Sequence, residues 1–220
     1  KDFQFFFFFI LFSHMLSIKP QTHLNQYVVL SQISNYAKNC IYKAYIPSEE
    51  EAITDQTKFY IIKAIPFDTE EEKEDYNAQA KILPLFNNVP SIMKINETFT
   101  LKSEITGEKQ FLFAVMDFCE YIDLYAYYSE QIHDKIPSNI IRSIAFQALK
   151  ILKTIHQERV IHHDIKPANF LVESLSPFVI KITDFEFSVK LSEDEFTTSP
   201  QGTIFYMAPE LLDCQPHDMS

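Results

Sequence analysis

Apolar residues recur in this 220-residue chain with two different periods, and the change from one to the other limits the folds open to it. Five short runs rich in β-branched and aromatic residues, "YVVLSQ", "CIYKAY", "KFYIIKAI", "ETFTL" and "FLFAVMD", are separated by polar stretches. They predict an antiparallel sheet. Between the third and fourth lies "DTEEEKEDYNAQAKILPLF". There Thr69 and Glu72 have capping-box spacing, and Glu70 to Glu72 fill a first turn whose dipole favours negative charge. The segment predicts a helix with Tyr76, Ala80 and Leu83 on one face, ended or kinked by Pro84. After Pro137 the period becomes helical, with Ile141, Ala145, Ala148, Leu152 and Ile155 forming an apolar stripe over about five turns. The expected class is α+β: a small β-rich lobe with one helix (residues 21–116), a connector (117–124) and a mostly helical lobe carrying polar loops (125–220). No internal repeat is visible.

Composition narrows the function classes. With 46% hydrophobic and 15% aromatic residues, the chain can bury a core. A formal net charge of -11 argues against a nucleic-acid partner. So does the arginine content, which is Arg142 and Arg159 alone. A basic protein partner or substrate suits the charge better. Cys40, Cys119 and Cys214 are odd in number and lack CxxC spacing, so neither a disulfide framework nor a zinc site is expected and a reducing, cytoplasmic compartment is. The apolar run from Phe3 to Leu16 is shorter than the roughly 20 residues that span a bilayer. No small-x-small cleavage site follows it, so neither a membrane span nor a secretory signal is expected. Residues 1–20 are set outside the fold, with Met15 a possible true start.

One stretch concentrates the chemistry. "VIHHDIKPANFLV", residues 160–172, places Asp164, Lys166 and Asn169 at i, i+2 and i+5 beside an apolar run. "DFE" follows at Asp184 to Glu186 and "GTIFYMAPE" at Gly202 to Glu210. His162 and His163 lack metal-ligand spacing. In this order and at these intervals, the three motifs resemble the H-R-D-x-K-x-x-N, D-F-G and A-P-E segments of a eukaryotic-type protein kinase domain, from about Tyr27 to the end. The expected fold is therefore protein-kinase-like and bilobal.

The resemblance implies a protein serine/threonine kinase that uses ATP and Mg2+ on a protein substrate. Lys166 together with Thr203 matches the serine/threonine pattern. Asp164 would orient the attacking hydroxyl and accept its proton, and Lys166 would offset charge on the γ-phosphate. Asn169 and Asp184 offer the hard oxygens that magnesium prefers. Lys63 matches the lysine that holds the α- and β-phosphates. Ile41, Ile61 and Leu171 would contact the nucleotide. Met116 would be the gatekeeper, the backbone of Asp117 and Cys119 would face the adenine edge, and Asp123 would bond the ribose unless it simply starts a helix. His162, beneath Phe185, reads as packing, as does Leu83.

Departures from the family pattern keep a second reading open. The chain has two glycines, Gly107 and Gly202, and Ser34, Tyr36 and Asn39 stand where the phosphate-covering loop has glycine. Gln79 falls where a glutamate pairs with the strand lysine, Ile61 replaces a small residue, and Glu186 replaces a glycine. These changes favour a pseudokinase, a scaffold or allosteric module able to bind a regulatory protein. His163 stands where kinases switched by activation-loop phosphate carry arginine, so phosphorylation of Thr197, Thr198 or Ser199 is not expected to be the main switch. The chain stops ten residues after Glu210, which implies a partial C-terminal lobe.

Overall fold

The computed structural model describes residues 18–36, 39–47, 53–54, 56–101, 110–119, 123–130, 136–193, 196–197 and 201–217. Side chains at 34–36, 39, 75, 77–80 and 130 lie outside that description. By its internal contacts the chain divides into two compact units: Lys1–Glu74 with Ile95–Phe118, and Asp75–Lys94 with Cys119–Ser220. Residues 75–94, which the sequence pattern places in the β-rich lobe, fall by their contacts in the second unit.

The first unit is a six-stranded antiparallel sheet. Its strands are β1 (His23–Leu24), β2 (Tyr27–Tyr36), β3 (Asn39–Tyr45), β4 (Phe59–Phe67), β5 (Ile95–Leu101) and β6 (Gln110–Asp117). Their order across the sheet is β1-β2-β3-β4-β6-β5. All five sequence runs fall in strands. Strand alternation sends Tyr42, Ala44, Ile62, Ala64, Phe113 and Val115 into one core, where Tyr42, Ile62, Phe113 and Val115 are fully buried. Tyr27, Phe99 and Phe113 continue it as a stack, with centroids 6.5 and 5.3 Å apart. Sequence patterning missed β1, which is only two residues long.

Helix α1 (Glu70–Ile82) starts as its sequence predicts. The Thr69 hydroxyl accepts the Glu72 N–H at 3.1 Å, and the Glu72 carboxylate reaches back to the Asp68 N–H at 2.7 Å. The reciprocal cap therefore closes one residue earlier than the standard box. Pro84 sits in the first turn of a 3-10 segment (Leu83–Phe86) that replaces the α-helix from Leu83 on. Proline has no N–H to donate, so the α ladder cannot continue through it.

In the second unit, α2 spans Leu124–Glu130, α3 Ser138–Gln157 and α4 Pro209–Leu212. Strands β7 (Val160–Ile161) and β10 (Val189–Lys190) pair with each other, and β8 (Phe170–Leu175) forms a hairpin with β9 (Phe178–Ile182). The Gln147 carboxamide of α3 donates to the Phe178 carbonyl at 2.9 Å and accepts the Ile180 N–H at 3.1 Å. One side chain thus docks the helix on β9. The edge of β9 is further satisfied by residues 91–93: Met93 N–H reaches the Ile182 carbonyl and Ile182 N–H the Ser91 carbonyl, each at 2.9 Å.

The stripe expected on α3 is rotated. Ile144, Ile151 and Ile155 are buried, whereas Ile141 is 48% exposed and Ala145 is also exposed. Apolar residues cover most of this helix, Phe146 and Leu149 included, so periodicity alone could not choose the buried line. Packing against β9 chose it.

Candidate active site

Strand β7 delivers the chain into a loop that turns at His163, whose φ of 64° lies in the left-handed region. A non-glycine residue there costs on the order of 1 kcal/mol or more and persists only where its surroundings enforce it. The next residue, Asp164, is 2% exposed. Its Oδ2 accepts Lys166 Nζ at 2.7 Å and Asn169 Nδ2 at 2.9 Å. Its Oδ1 accepts the Thr203 N–H at 2.9 Å and the Thr203 hydroxyl at 2.6 Å. Lys166 Nζ also donates to Thr203 Oγ1 at 2.7 Å, which closes a three-residue ring. Desolvation pushes the Asp164 carboxyl up, but the hydrogen bonds from Lys166, Thr203 and Asn169 and the Lys166 charge outweigh it and hold the group below the usual carboxylate range.

Gly202 makes that approach possible. Its φ is 114°, and a Cβ there would lie 2.1 Å from the His163 carbonyl oxygen. Only glycine lets the 202–203 backbone come this close to the loop.

The 3-10 turn Pro167–Asn169 presents Asn169, 4% exposed. Its Nδ2 donates to both the backbone carbonyl and the carboxylate of Asp164. Its Oδ1 therefore faces away, with no donor to it among the described residues. A buried carboxamide oxygen without a donor is costly in an apoprotein and is a good hard ligand for a divalent cation. Phe170 pairs with Ile182 across the hairpin, and the Thr183 N–H donates to the Asn169 carbonyl at 2.9 Å. Asn169 and Asp184 thereby leave the same end of the β8–β9 hairpin. Asp184 also has positive φ, 65°. The Asn169 carboxamide oxygen and the Asp184 carboxylate are hard donors of the kind that would suit a magnesium ion.

His162 is structural, as expected. Its Nε2 donates to the Thr183 carbonyl at 3.1 Å and its Nδ1 accepts the Asp164 N–H at 3.3 Å, which fixes a neutral tautomer. Burial, chiefly, lowers its pKa. Its ring lies 4.7 Å from that of Phe185, which in turn lies 6.0 Å from Phe86. Leu83 is buried as well, but the ring that meets Phe185 from the 3-10 segment is Phe86, which sequence reasoning had not singled out.

In the first unit the sheet register brings several candidates onto one face. Ile41 pairs with Lys63 and Lys63 with Ala114; Lys43 pairs with Ile61 and Ile61 with Met116. Directly paired residues point the same way, so Ile41, Lys63, Ile61 and Met116 form two adjacent rows opposite the core face. Ser34, Tyr36 and Asn39 lie in the β2–β3 hairpin, which keeps its ladder as far as Tyr36 opposite Asn39. Asp117 ends β6, where its Oδ1 accepts Lys58 Nζ at 2.9 Å and Asn96 Nδ2 at 3.0 Å.

In the second unit, Cys119 donates its thiol to the Val172 carbonyl at 3.4 Å, and burial raises its pKa. Asp123 caps α2, taking the Ala126 N–H on Oδ1 at 2.9 Å, and forms a bridge with Leu171. The helix-start reading of Asp123 thus has a physical basis. Glu186 follows Phe185 and is half-buried. Gln79 lies in α1, with its side chain outside the described residues, as are Thr198 and Ser199. Thr203, a class marker by sequence, bonds both Asp164 and Lys166 in the structure. Its proximity depends on the φ of Gly202, which no pattern in the sequence states.

Comparison with known proteins adds an independent finding. The family model for the protein kinase domain matches residues 50–220. Calcium-dependent protein kinase 19 of Arabidopsis thaliana is 30% identical over 145 residues, 64% of this chain and 24% of that protein. Calcium-dependent protein kinase 22 of the same plant is 31% identical over 166 residues, 71% of this chain and 31% of its own. Serine/threonine-protein kinase fused of Drosophila melanogaster is 26% identical over 197 residues, 89% of this chain and 22% of its own. The chain spans less than a third of the length of each of these three relatives.

Proposed function

This chain belongs to the protein kinase family, and on that premise we propose that it transfers the γ-phosphoryl group of ATP to a serine or threonine hydroxyl of a protein substrate. The observation that carries this reading is the buried network around Asp164. A carboxylate 2% exposed, held ionised by a lysine, a threonine and an asparagine, is costly to assemble for stability alone. It suits alignment of a nucleophile and neutralisation of charge, which are the main demands of phosphoryl transfer.

In this reading Asp164 orients the substrate hydroxyl and takes its proton. All four acceptor directions of its carboxylate are filled, so a hydroxyl can enter only as one donor turns away. Lys166, with 22% of its side chain exposed, is placed to swing toward a phosphate oxygen and release that lone pair. Lys63 holds the nucleotide phosphates, and Ile41, Ile61 and Leu171 contact the base and sugar. The backbone of Asp117 and Cys119 meets the adenine edge. Magnesium, when bound through Asn169 and Asp184, neutralises charge on the phosphate oxygens. The scattered cysteines, without CxxC spacing, suit a reducing, cytoplasmic setting. No helix among the described residues is long and apolar enough to cross a membrane.

The alternative is a pseudokinase that scaffolds or regulates a partner. Its support is the β-branched bulk of Ile61 beside Lys63, the non-glycine hairpin at Ser34, Tyr36 and Asn39, and Glu186 after Phe185. Thermal melting with ATP, with and without magnesium, separates the two. Ligand that binds only the folded state raises Tm. Kinase function predicts a magnesium-dependent rise that Lys63→Met and Asp184→Asn both abolish, followed by phosphotransfer that Asp164→Asn removes. No rise at millimolar ATP in the folded protein favours the scaffold reading instead.

A further inference from the structure

Outside the Asp164 network, the second unit holds two histidines whose geometry demands a cation. His163 Nε2 and His217 Nε2 face each other at 3.1 Å, with rings nearly perpendicular at 83°. On the far side of each ring, Nδ1 meets a backbone carbonyl: Phe187 at 2.9 Å for His163, Gln215 at 3.0 Å for His217. A carbonyl oxygen only accepts, so both Nδ1 atoms carry hydrogen. Two neutral imidazoles in that tautomer would aim two lone pairs at each other across 3.1 Å. The contact becomes attractive only when one Nε2 is also protonated, so that one ring is imidazolium and donates to the other.

We propose that His163 and His217 share one proton and form an acid-closed latch joining the loop that carries Asp164 to the segment after Asp184. Three pieces of chain meet at this pair. His163 precedes Asp164, Phe187 follows Glu186, and His217 exchanges both backbone hydrogen bonds with Thr197, each at 3.0 Å. Loss of the proton turns an attraction into a repulsion at that junction and releases the Thr197–His217 bridge. Burial, the largest influence on His163, and the nearby His217 both push its pKa down, whereas its bond to the Phe187 carbonyl pushes it up; the net shift is downward. The latch therefore closes on mild acidification and opens toward neutral and alkaline pH.

Other groups around the pair do not mimic this switch. Asp164 lies beside His163 in sequence, with Lys166 on its carboxylate; Asp184 and Glu186 precede Phe187; Glu193 precedes Thr197; and Asp213 and exposed Cys214 precede His217. Asp194, Glu195 and Asp218 are close in sequence but outside the described residues. Carboxylates ordinarily titrate well below pH 6. Burial, the largest influence on His162, pushes its pKa down, and its Nδ1 is occupied as the acceptor of the Asp164 N–H. Arg159 is turned to the carbonyls of Leu191 and Ser192. A metal ion is the other cation that could bridge two imine nitrogens, but zinc sites need three or four protein ligands. Among the described residues no third histidine, cysteine or carboxylate completes a set.

The test is amide hydrogen exchange of the chain at about pH 5, below the ordinary imidazole value of about 6.5, and at about pH 8, corrected for intrinsic rates and read at Thr197 and His217. A lost charge-assisted hydrogen bond corresponds to about tenfold or more, so wild-type protection should be at least about tenfold greater at the lower pH. His217→Gln places a pH-independent N–H donor opposite His163 Nε2; it should keep protection and lose the pH dependence. Long-range 1H–15N spectra of wild type should show, at about pH 5, both Nδ1 protonated and one proton shared by the two Nε2 atoms. Equal wild-type protection at both pH values, pH dependence that survives in His217→Gln, or added zinc that restores protection at pH 8 through both Nε2 atoms would each overturn the proposal.

Discussion

Thr203 holds Asp164 and Lys166 at the same time, so its hydroxyl governs both the orientation of the carboxylate and the resting position of the ammonium. Replacement by valine keeps the shape and removes the hydroxyl. Leaving buried partners unsatisfied costs about 1–3 kcal/mol, and about 1.4 kcal/mol is tenfold in rate. On the proposed kinase function, Thr203→Val is expected to lower kcat by roughly 10- to 100-fold while Thr203→Ser retains most of it, measured in a phosphotransfer assay. Asp164 adds a pH prediction. Its carboxyl is held below the ordinary range in the folded protein, against a value of about 3.9 when unfolded. Its stabilising contribution is therefore complete above the unfolded value and lost as pH falls through the folded one. Urea titrations should show the stability difference between wild type and Asp164→Asn constant from about pH 7 to 5 and shrinking below about pH 4.

At the scale of elements, the caps were readable and the buried faces only partly so. Thr69 and Glu72 close the N-terminus of α1 as their spacing requires, because a cap depends on residues four apart or fewer. The buried line of α3 depends on which strand the helix meets, and Gln147 shows that β9 is that strand. Ile144→Ala is expected to cost about 2–5 kcal/mol as a cavity in the core. Ile141→Ala, at a residue 48% exposed, should stay within about 0.5 kcal/mol. Chemical denaturation of the two variants checks the assignment, and equal losses would return Ile141 to the core.

For the whole molecule the dominant long-range property is the net charge of -11. If the chain phosphorylates proteins, peptides with lysine or arginine near the acceptor hydroxyl should be used with higher kcat/KM than acidic ones. The preference should fall toward unity between about 50 and 500 mM salt as the Debye length shortens. A ratio insensitive to salt would show that local pockets, and not the overall field, select the substrate.

The sequence by itself determined the α+β class, the five long strands, the capped acidic helix and the identity of the polar loop residues. Each of these rests on periodicity or on spacings of a few residues, which the chain carries locally. It also named Asp164, Lys166, Asn169 and Asp184, because their motifs are short and ordered. Tertiary structure alone decided the rest. Thr203 reaches Asp164 across 39 positions through a glycine in a conformation other residues resist. His217 meets His163 across 54 positions. Phe86 brings its ring to within 6.0 Å of the Phe185 ring. Such contacts are set by how folded segments pack, since no spacing in a sequence records which distant residue will fill the last hydrogen-bonding direction of a buried group.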